Sequence, residues 1–155
     1  MKININQIKK LRRETGAGIT DIKEALEEAK GDEKVAKQIL QKQGLVKAGK
    51  KAGKETKAGV VESYIHATKN SGAVVVLTCE TDFVARTEEF KNLAHEIAMQ
   101  VCAMNSKSIK ELLSQPWIRD ESKIVGDLIA SNIAKFGENI KIEDFKRFEV
   151  GHGFK

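Results

Sequence analysis

The run of residues 73–79 restricts the possible folds of this chain more than any other segment. Its residues, Ala-Val-Val-Val-Leu-Thr-Cys, are almost all apolar and mainly β-branched, which predicts a strand that is buried on both faces. Another β-branched segment, residues 59–66, precedes it, and the polar cluster at 69–72 between the two is typical of a turn. Together the two segments predict an antiparallel hairpin.

A strongly amphipathic helix is predicted after this hairpin. Its apolar residues recur every three or four positions along one stripe: Phe90, Leu93, Ala94, Ile97, Ala98 and Val101. A less regular stretch around Pro116-Trp117 follows, then a shorter helix around 125–133 and a last strand at 145–150. Because strands and helices are segregated, residues 59–155 predict an α+β core with an antiparallel sheet packed by helices.

Residues 1–45 predict three short helices. Asn4 or Asn6 is a suitable N-cap for the first helix, and the glycines of Thr15-Gly16-Ala17-Gly18 are expected to end it. The second helix is expected from about residue 20 to 30, where Asp21 with Glu24 resembles a capping box.

The third helix is expected to begin after Asp32 and to stop at Gly44. Residues 46–58 then form a linker of Lys, Ala and Gly, which predicts either a flexible tether or a short solvated helix. The linker carries five lysines against one glutamate, whereas the core that follows is slightly acidic. A dedicated nucleic-acid binder spreads positive charge over a folded face, so specific nucleic-acid binding is not expected.

Several classes of protein are disfavoured by what the sequence lacks. No apolar run is long enough to span a membrane and no signal peptide is recognisable, so a cytoplasmic protein is expected. The three histidines are far apart and no nucleotide-binding or catalytic motif is present, so neither an enzyme nor a metal or cofactor site is expected. Cys79 and Cys102 lie in apolar stretches and are expected to be buried small hydrophobes.

Thr81-Asp82-Phe83-Val84 stands between the buried strand and the long helix. In the structural interpretation, Thr81 or Asp82 caps a helix and Phe83 is its first core residue. In the functional interpretation, Asp82 and Phe83 project as a tip that enters a partner. The segment taken alone favours the structural interpretation.

Three blocks of the sequence resemble the elongation factor Ts family in order and spacing. The first is Leu11-Arg12-Arg13-Glu14-Thr15-Gly16-Ala17-Gly18 with Lys23-Glu24-Ala25-Leu26-Glu27-Glu28-Ala29. The second is Thr81-Asp82-Phe83-Val84-Ala85-Arg86. The third combines Val125-Gly126-Asp127-Leu128, Gly137-Glu138-Asn139-Ile140 and Arg147-Phe148-Glu149-Val150-Gly151. The resemblance extends over nearly the whole chain.

The resemblance implies a ubiquitin-associated-like three-helix head at 1–45, the linker at 46–58 and an α+β core at 59–155. It implies a guanine-nucleotide exchange factor that accelerates GDP release from elongation factor Tu during translation elongation. The Thr-Asp-Phe tip would insert near the magnesium and phosphate site, and the head would contact the nucleotide-binding domain. The residues carried over are Thr81, Asp82 and Phe83 in the tip, Val84 directly after it, and Leu11, Arg12, Ile19, Thr20 and Lys23 in the head.

Two departures from the family pattern are visible. The family commonly has Met residues and a Cys where this chain has Ile19, Thr20 and Ile22. The chain is also short compared with the many members of the family that carry a duplicated core. A single half-core leaves apolar surface or a sheet edge uncovered, which predicts a homodimer.

The lysines of the linker leave one alternative function open. A head joined to a basic linker is also the composition of a module that tethers a protein to the ribosome or to RNA. Such binding would weaken steeply with salt.

Overall fold

The computed structural model of this chain describes residues 2–152, which divide into two compact units. The first unit contains the residues before Lys54 together with Ala130–Glu138. The second contains Lys54–Ile129 together with the residues from Asn139 onward. Helices precede a part that contains an antiparallel sheet, which confirms the predicted α+β class. No helix in the described range is long and apolar enough to cross a membrane.

Three helices begin the first unit: α1 (Ile5–Thr15), α2 (Ile19–Glu28) and α3 (Glu33–Lys51). Asn4 caps α1, because its side-chain oxygen accepts a 2.9 Å hydrogen bond from the backbone nitrogen of Asn6. Gly16 ends α1 at a φ of 69°, in the left-handed region that glycine enters without a Cβ clash. The predicted start and end of this helix are therefore confirmed.

The predicted capping box of Asp21 with Glu24 is wrong. α2 begins at Ile19, and its N-cap is Gly18, which has no side chain to accept a hydrogen bond. The Asp21 carboxylate instead accepts a 2.8 Å hydrogen bond from Lys47 Nζ on α3. The Asp21 carboxylate therefore links α2 to α3 and does not cap the start of α2.

The predicted stop of the third helix at Gly44 is also wrong. Asp32 caps α3 as expected, but the helix continues through the buried Gly44 to Lys51. A Cβ placed on Gly44 would lie 3.7 Å from Cβ of Ala134, so α3 and residues 130–138 pack closely at this point. A distance of 3.7 Å is an ordinary van der Waals contact, so α3 contains a glycine in its interior, despite the low helix propensity of that residue, without a steric need for it. Residues 46–51 of the linker are helical, which was one of its two predicted conformations.

The first unit has a small aliphatic core surrounded by ion pairs. Three pairs join its helices: Lys10 with Glu33, Glu14 with Lys37, and Asp21 with Lys47. The hydrogen bond from Lys37 lowers the pKa of Glu14, and the hydrogen bond to Glu33 raises the pKa of Lys10. The buried core residues are Leu11, Ile22, Ala25, Leu26, Ala29, Ala36 and Leu40.

The second unit contains a three-stranded antiparallel sheet in the order β1 (Ala58–Ile65), β2 (Ser71–Cys79) and β5 (Ile140–Glu149). β1 and β2 form the predicted hairpin. β5 has a register shift opposite Val76 and Leu77, and it begins five residues earlier than the last strand that was predicted at 145–150. An irregularity of this kind bends a strand without ending it.

The two faces of the sheet differ. Ala73, Val75 and Leu77 of β2 are buried on the inner face, where Tyr64 meets His95 of α5 (Glu88–Met104) edge to face. On the outer face, Val61 lies opposite Val76, and Val74 and Val76 are half-buried. The prediction that this run is buried on both faces is therefore confirmed for the inner face and wrong in degree for the outer face.

The other elements of the second unit are short. They are α4 (Asp82–Ala85), α6 (Ile109–Ser114), β3 (Pro116–Trp117), β4 (Asp120–Ile124) and the start of α7 (Val125–Phe136). The fully buried Gln100 of α5 accounts for the irregular stretch at Pro116-Trp117. Its side chain donates to the carbonyl of Pro116 at 3.0 Å and accepts from the backbone nitrogen of Ile118 at 2.9 Å.

Candidate functional site

The segment Thr81–Val84 forms the start of a single helical turn. Thr81 is the N-cap of α4, and its hydroxyl oxygen accepts a hydrogen bond from the backbone nitrogen of Val84 at 3.4 Å. The carbonyl of Thr81 accepts from the backbone nitrogen of Ala85 at 3.2 Å. The structural interpretation of Thr81 as a helix cap is therefore confirmed.

Phe83 is not a core residue, and the prediction that it begins the helix core is wrong. Its side chain is 85% exposed, the largest exposure among the large apolar residues that lie at the described surface. Asp82 beside it is also exposed, whereas Val84 and Ala85 are 6% and 3% exposed. The turn therefore presents a carboxylate and an aromatic ring on one side and buries its other side.

Hydrogen bonds on both sides of α4 hold this turn. The thiol of Cys79, at the end of β2, donates to the carbonyl of Thr81 at 3.2 Å. Thr87 donates from its hydroxyl to the carbonyl of Val84 at 2.7 Å and also caps α5 by accepting from the nitrogen of Phe90. A turn bonded at both ends presents Phe83 from a fixed base, and we call Thr81–Phe83 the tip.

The candidate residues of the head lie in the first unit and differ in exposure. Arg12, Thr20 and Lys23 are exposed, and Ile19 is 45% exposed at the start of α2. Leu11 is only 1% exposed, so it supports this surface from the core of the unit. Val84 is buried in the same way beneath the tip. These two side chains are not presented to a partner, unlike the other predicted contact residues.

The basic linker is less free than its sequence indicates. Lys47 is bound to Asp21, and Lys57 forms a 3.1 Å ion pair with Glu55. Lys50 and Lys51 lie in the last turn of α3, where cations favour the negative end of the helix dipole. The linker lysines are thus partly committed to contacts within the chain.

Both cysteines are buried, as expected, and neither forms a disulfide. Among residues 2–152, no three or more His, Cys, Asp or Glu side chains are grouped closely enough to hold a metal ion.

Two polar residues near the tip were not predicted from the sequence as functional. The carboxylate of Glu80 accepts a 2.8 Å hydrogen bond from the backbone nitrogen of Asn139, which is 2% exposed. The Asn139 side chain donates to the carbonyl of Lys54 at 2.8 Å. The sequence signal for Asn139 was its place in the block Gly137-Glu138-Asn139-Ile140 of the family resemblance, which assigned it no functional role.

Comparisons with known proteins give one consistent family. A family model described as "Elongation factor TS" matches residues 80–155. Proteins named elongation factor Ts from Thermotoga sp. (strain RQ2) and Thermotoga maritima are each 39% identical over 198 residues, covering 100% of both chains. The protein of that name from Petrotoga mobilis is 40% identical over 196 residues, covering 97% of this chain and 100% of its own. The alignment of 198 positions exceeds the 155 residues of this chain by 43, so the first of these relatives has residues at 43 aligned positions where this chain has none.

Proposed function

This chain belongs to the elongation factor Ts family, and we propose that it accelerates the release of GDP from elongation factor Tu by inserting the tip near the magnesium and phosphate site of that GTPase. The setting of this activity is translation elongation in the cytoplasm. Membership of the family supports the exchange activity, and the geometry of the tip supports the way in which it is carried out.

The 85% exposure of Phe83 is the observation that carries the proposal. A phenylalanine left in water gives up the favourable free energy of burial, about 1.5 to 3 kcal/mol for a side chain of this size. Insertion into a partner recovers that free energy. Because the hydrogen bonds on either side of α4 already order the turn, insertion loses little further conformational entropy.

Exchange of this kind requires no covalent chemistry from the factor. Mg²⁺ and backbone amides hold the phosphates of GDP mainly by electrostatic attraction. A ring and a carboxylate that displace those contacts increase the dissociation rate of the nucleotide. By linkage, bound nucleotide weakens the binding of the factor by the same free energy. We therefore propose that this chain is not an enzyme and that Asp82 and Phe83 act as a wedge.

The head supplies the second half of the contact in this proposal. Arg12, Ile19, Thr20 and Lys23 would meet the nucleotide-binding domain of elongation factor Tu. Leu11 and Val84 are buried. In this proposal Leu11 supports the surface of the head and Val84 supports the tip, and neither side chain contacts the partner.

The test measures release of a fluorescent GDP analogue from elongation factor Tu with increasing amounts of this chain. We expect the native chain to accelerate release, and Phe83→Ala and Asp82→Ala each to lower the maximal rate at saturating factor. Ile124→Ala and Glu121→Ala are matched controls, since they truncate an exposed apolar and an exposed acidic side chain on β4.

Two results separate the parts of the proposal. A native chain that leaves the release rate unchanged would contradict the exchange function. Acceleration that survives both tip substitutions would leave the exchange function standing and remove the wedge.

We also propose that the chain acts as a homodimer through the outer face of its sheet. Val61 and Ile65 of β1 are 70% and 56% exposed, and Phe148 of β5 is 46% exposed. Gly72 of β2 pairs with both Ile65 and Phe148, so those two side chains occupy one row of that face. Half-buried Val74 and Val76 continue the apolar surface. A second copy would cover the same residues by two-fold symmetry.

A further inference from the structure

Asn139 occupies a buried position in the second unit, between the end of α7 and the start of β5. It is 2% exposed, although asparagine is a polar residue. Its backbone nitrogen donates to Glu80 Oε1 at 2.8 Å, and its side-chain nitrogen donates to the carbonyl of Lys54 at 2.8 Å. A buried amide of this kind is retained only where its hydrogen bonds are made.

The partners of Asn139 come from distant parts of the sequence. Glu80 is the last residue before the tip, and its side chain is half-buried. Lys54 is the residue with which the second unit begins, and it lies within the basic linker at 46–58. One buried residue, next to the first residue of β5, is therefore hydrogen-bonded both to the residue before the tip and to the backbone of the linker.

We infer that Asn139 and Glu80 act together as a latch that positions the tip for nucleotide exchange. This inference rests on the proposed function and adds two positioning residues to it, neither of which is expected to touch the partner. Together with the hydrogen bond from the Cys79 thiol to the carbonyl of Thr81, the latch sets the direction in which the chain leaves β2. It also holds the backbone of the linker at Lys54 close to the residue that precedes the tip.

The choice of asparagine follows from the acceptor that it faces. A backbone carbonyl at Lys54 requires a donor, and the side-chain amide provides one. An ionised aspartate provides none, and it would place a second negative charge near the carboxylate of Glu80. Asn139→Asp thus breaks the Lys54 side of the latch while keeping the volume of the side chain.

The Glu80 side needs a different pair of variants, because its donor is the backbone nitrogen of residue 139. Glu80→Gln keeps a side-chain oxygen that can accept this hydrogen bond, and Glu80→Ala removes the acceptor. We expect Glu80→Gln to retain the function of the native chain and Glu80→Ala to lose it to the same extent as Asn139→Asp.

The first measurement is the rate of GDP release from elongation factor Tu as a function of factor concentration. A positioning role predicts that Asn139→Asp and Glu80→Ala lower the maximal rate at saturating factor by about tenfold, since misplaced reacting groups lose rate even when fully bound. A merely structural role predicts a smaller fraction of folded factor. That outcome raises the half-saturating concentration and leaves the maximal rate unchanged.

The second measurement needs no partner and uses the free chain. The backbone amides of Val84, Ala85 and Arg86 are hydrogen-bonded within the tip and α4. We expect Asn139→Asp and Glu80→Ala to increase hydrogen–deuterium exchange of these amides about tenfold, and Glu80→Gln to leave it unchanged. Asn92→Asp, the same chemical change on the exposed surface of α5, is the matched control.

The two measurements distinguish failure of the latch from failure of the proposed function. If the native chain does not accelerate release, the exchange function is wrong, and amide exchange alone decides whether the latch holds the tip. If the native chain is active but both latch variants keep the native maximal rate and native amide protection, the latch is wrong. Should Asn139→Asp not fold, Glu80→Ala and its rescue by Glu80→Gln decide the question.

Discussion

Phe83 and Val84 are adjacent in the chain, but Phe83 is 85% exposed and Val84 is 6% exposed. They belong to a single turn of helix, in which successive side chains point about 100° apart. The turn therefore places one of these neighbouring side chains in solvent and the other in the interior. Val84 packs the turn into the second unit, and Phe83 stands in solvent, as the proposed insertion requires.

The first prediction concerns stability at these two positions. We expect Phe83→Ala to change the free energy of unfolding by less than about 0.5 kcal/mol, because an exposed side chain has little packing to lose. We expect Val84→Ala to cost about 2 kcal/mol through loss of buried methyl groups. Urea denaturation of both variants measures the difference. A loss for Phe83→Ala as large as that for Val84→Ala would mean that the ring is packed in solution.

The second prediction separates the affinity of the head for elongation factor Tu from the effect of tip insertion on the maximal rate of GDP release. We expect Lys23→Ala to raise the half-saturating concentration of the factor in GDP release by a factor of about 2 to 5, since an exposed charged contact contributes up to about 1 kcal/mol. The maximal rate should not change, and the effect should shrink as salt is added. Lys34→Ala, at another exposed lysine of the head, is the control. Equal effects of the two variants would count against a specific surface at Lys23.

The third prediction uses two glycines of the first unit that differ in backbone conformation. Gly16 has a φ of 69°, and a Cβ there would lie 2.9 Å from Cδ of Lys135, so Gly16→Ala should destabilise the unit by about 1 kcal/mol or more. Gly44 lies inside α3 with room for a methyl group, so Gly44→Ala should stabilise it by about 0.5 to 1 kcal/mol. Thermal unfolding followed by circular dichroism compares them. Destabilisation by Gly44→Ala would show that the contact at Ala134 is too tight for a methyl group.

The fourth prediction tests the homodimer. We expect sedimentation equilibrium to show a dimer for the native chain, and Val61→Lys to weaken dimerisation at least about tenfold, because it places a charge in the apolar outer face. Val46→Lys makes the same change at a residue of α3 that is 59% exposed and should have no effect. A native chain that sediments as a monomer at every concentration would remove this part of the proposal.

The fifth prediction concerns acid. The hydrogen bond from Lys37 lowers the pKa of Glu14 in the folded state, so the folded state favours the ionised carboxyl. The resulting stability is present above the ordinary pKa of glutamate, about 4.3, and is lost as the pH falls through the lowered value. We expect Lys37→Gln to raise the pKa of Glu14 and to reduce the loss of stability in acid. An NMR titration of the Glu14 carboxyl that is unchanged in this variant would contradict the assignment.

Local sequence patterns predicted much of the fold. The caps at Asn4 and Asp32 and the turn at Gly16 depend on the residue itself and its near neighbours, and all three were predicted. The stripe of α5 and the hairpin of β1 and β2 follow from hydrophobic periodicity. The predictions at Asp21 and Gly44 failed, and the residues that these two positions contact, Lys47 and Ala134, lie far away in sequence.

The candidate site was located from its sequence motif, but its geometry was not predictable. Thr81 as a cap is a local property and was anticipated. Whether the ring of Phe83 is buried depends on which other segments cover it, and no local pattern reports that. The same holds for Asn139, because its hydrogen-bond partners Glu80 and Lys54 lie 59 and 85 positions before it in the sequence.

The sequence by itself determined most of the longer helices and strands, the α+β class and the family to which this chain belongs. Helix and strand propensity, hydrophobic periodicity and the order of motifs can all be read without knowledge of long-range contacts. Only the tertiary structure decided which side chains are exposed and which distant groups meet. It placed Phe83 in solvent and Val84 in the interior, and it left the apolar row of Ile65 and Phe148 at the surface. The physical reason is that burial and long-range hydrogen bonds depend on tertiary packing, which brings together residues that are far apart in the chain.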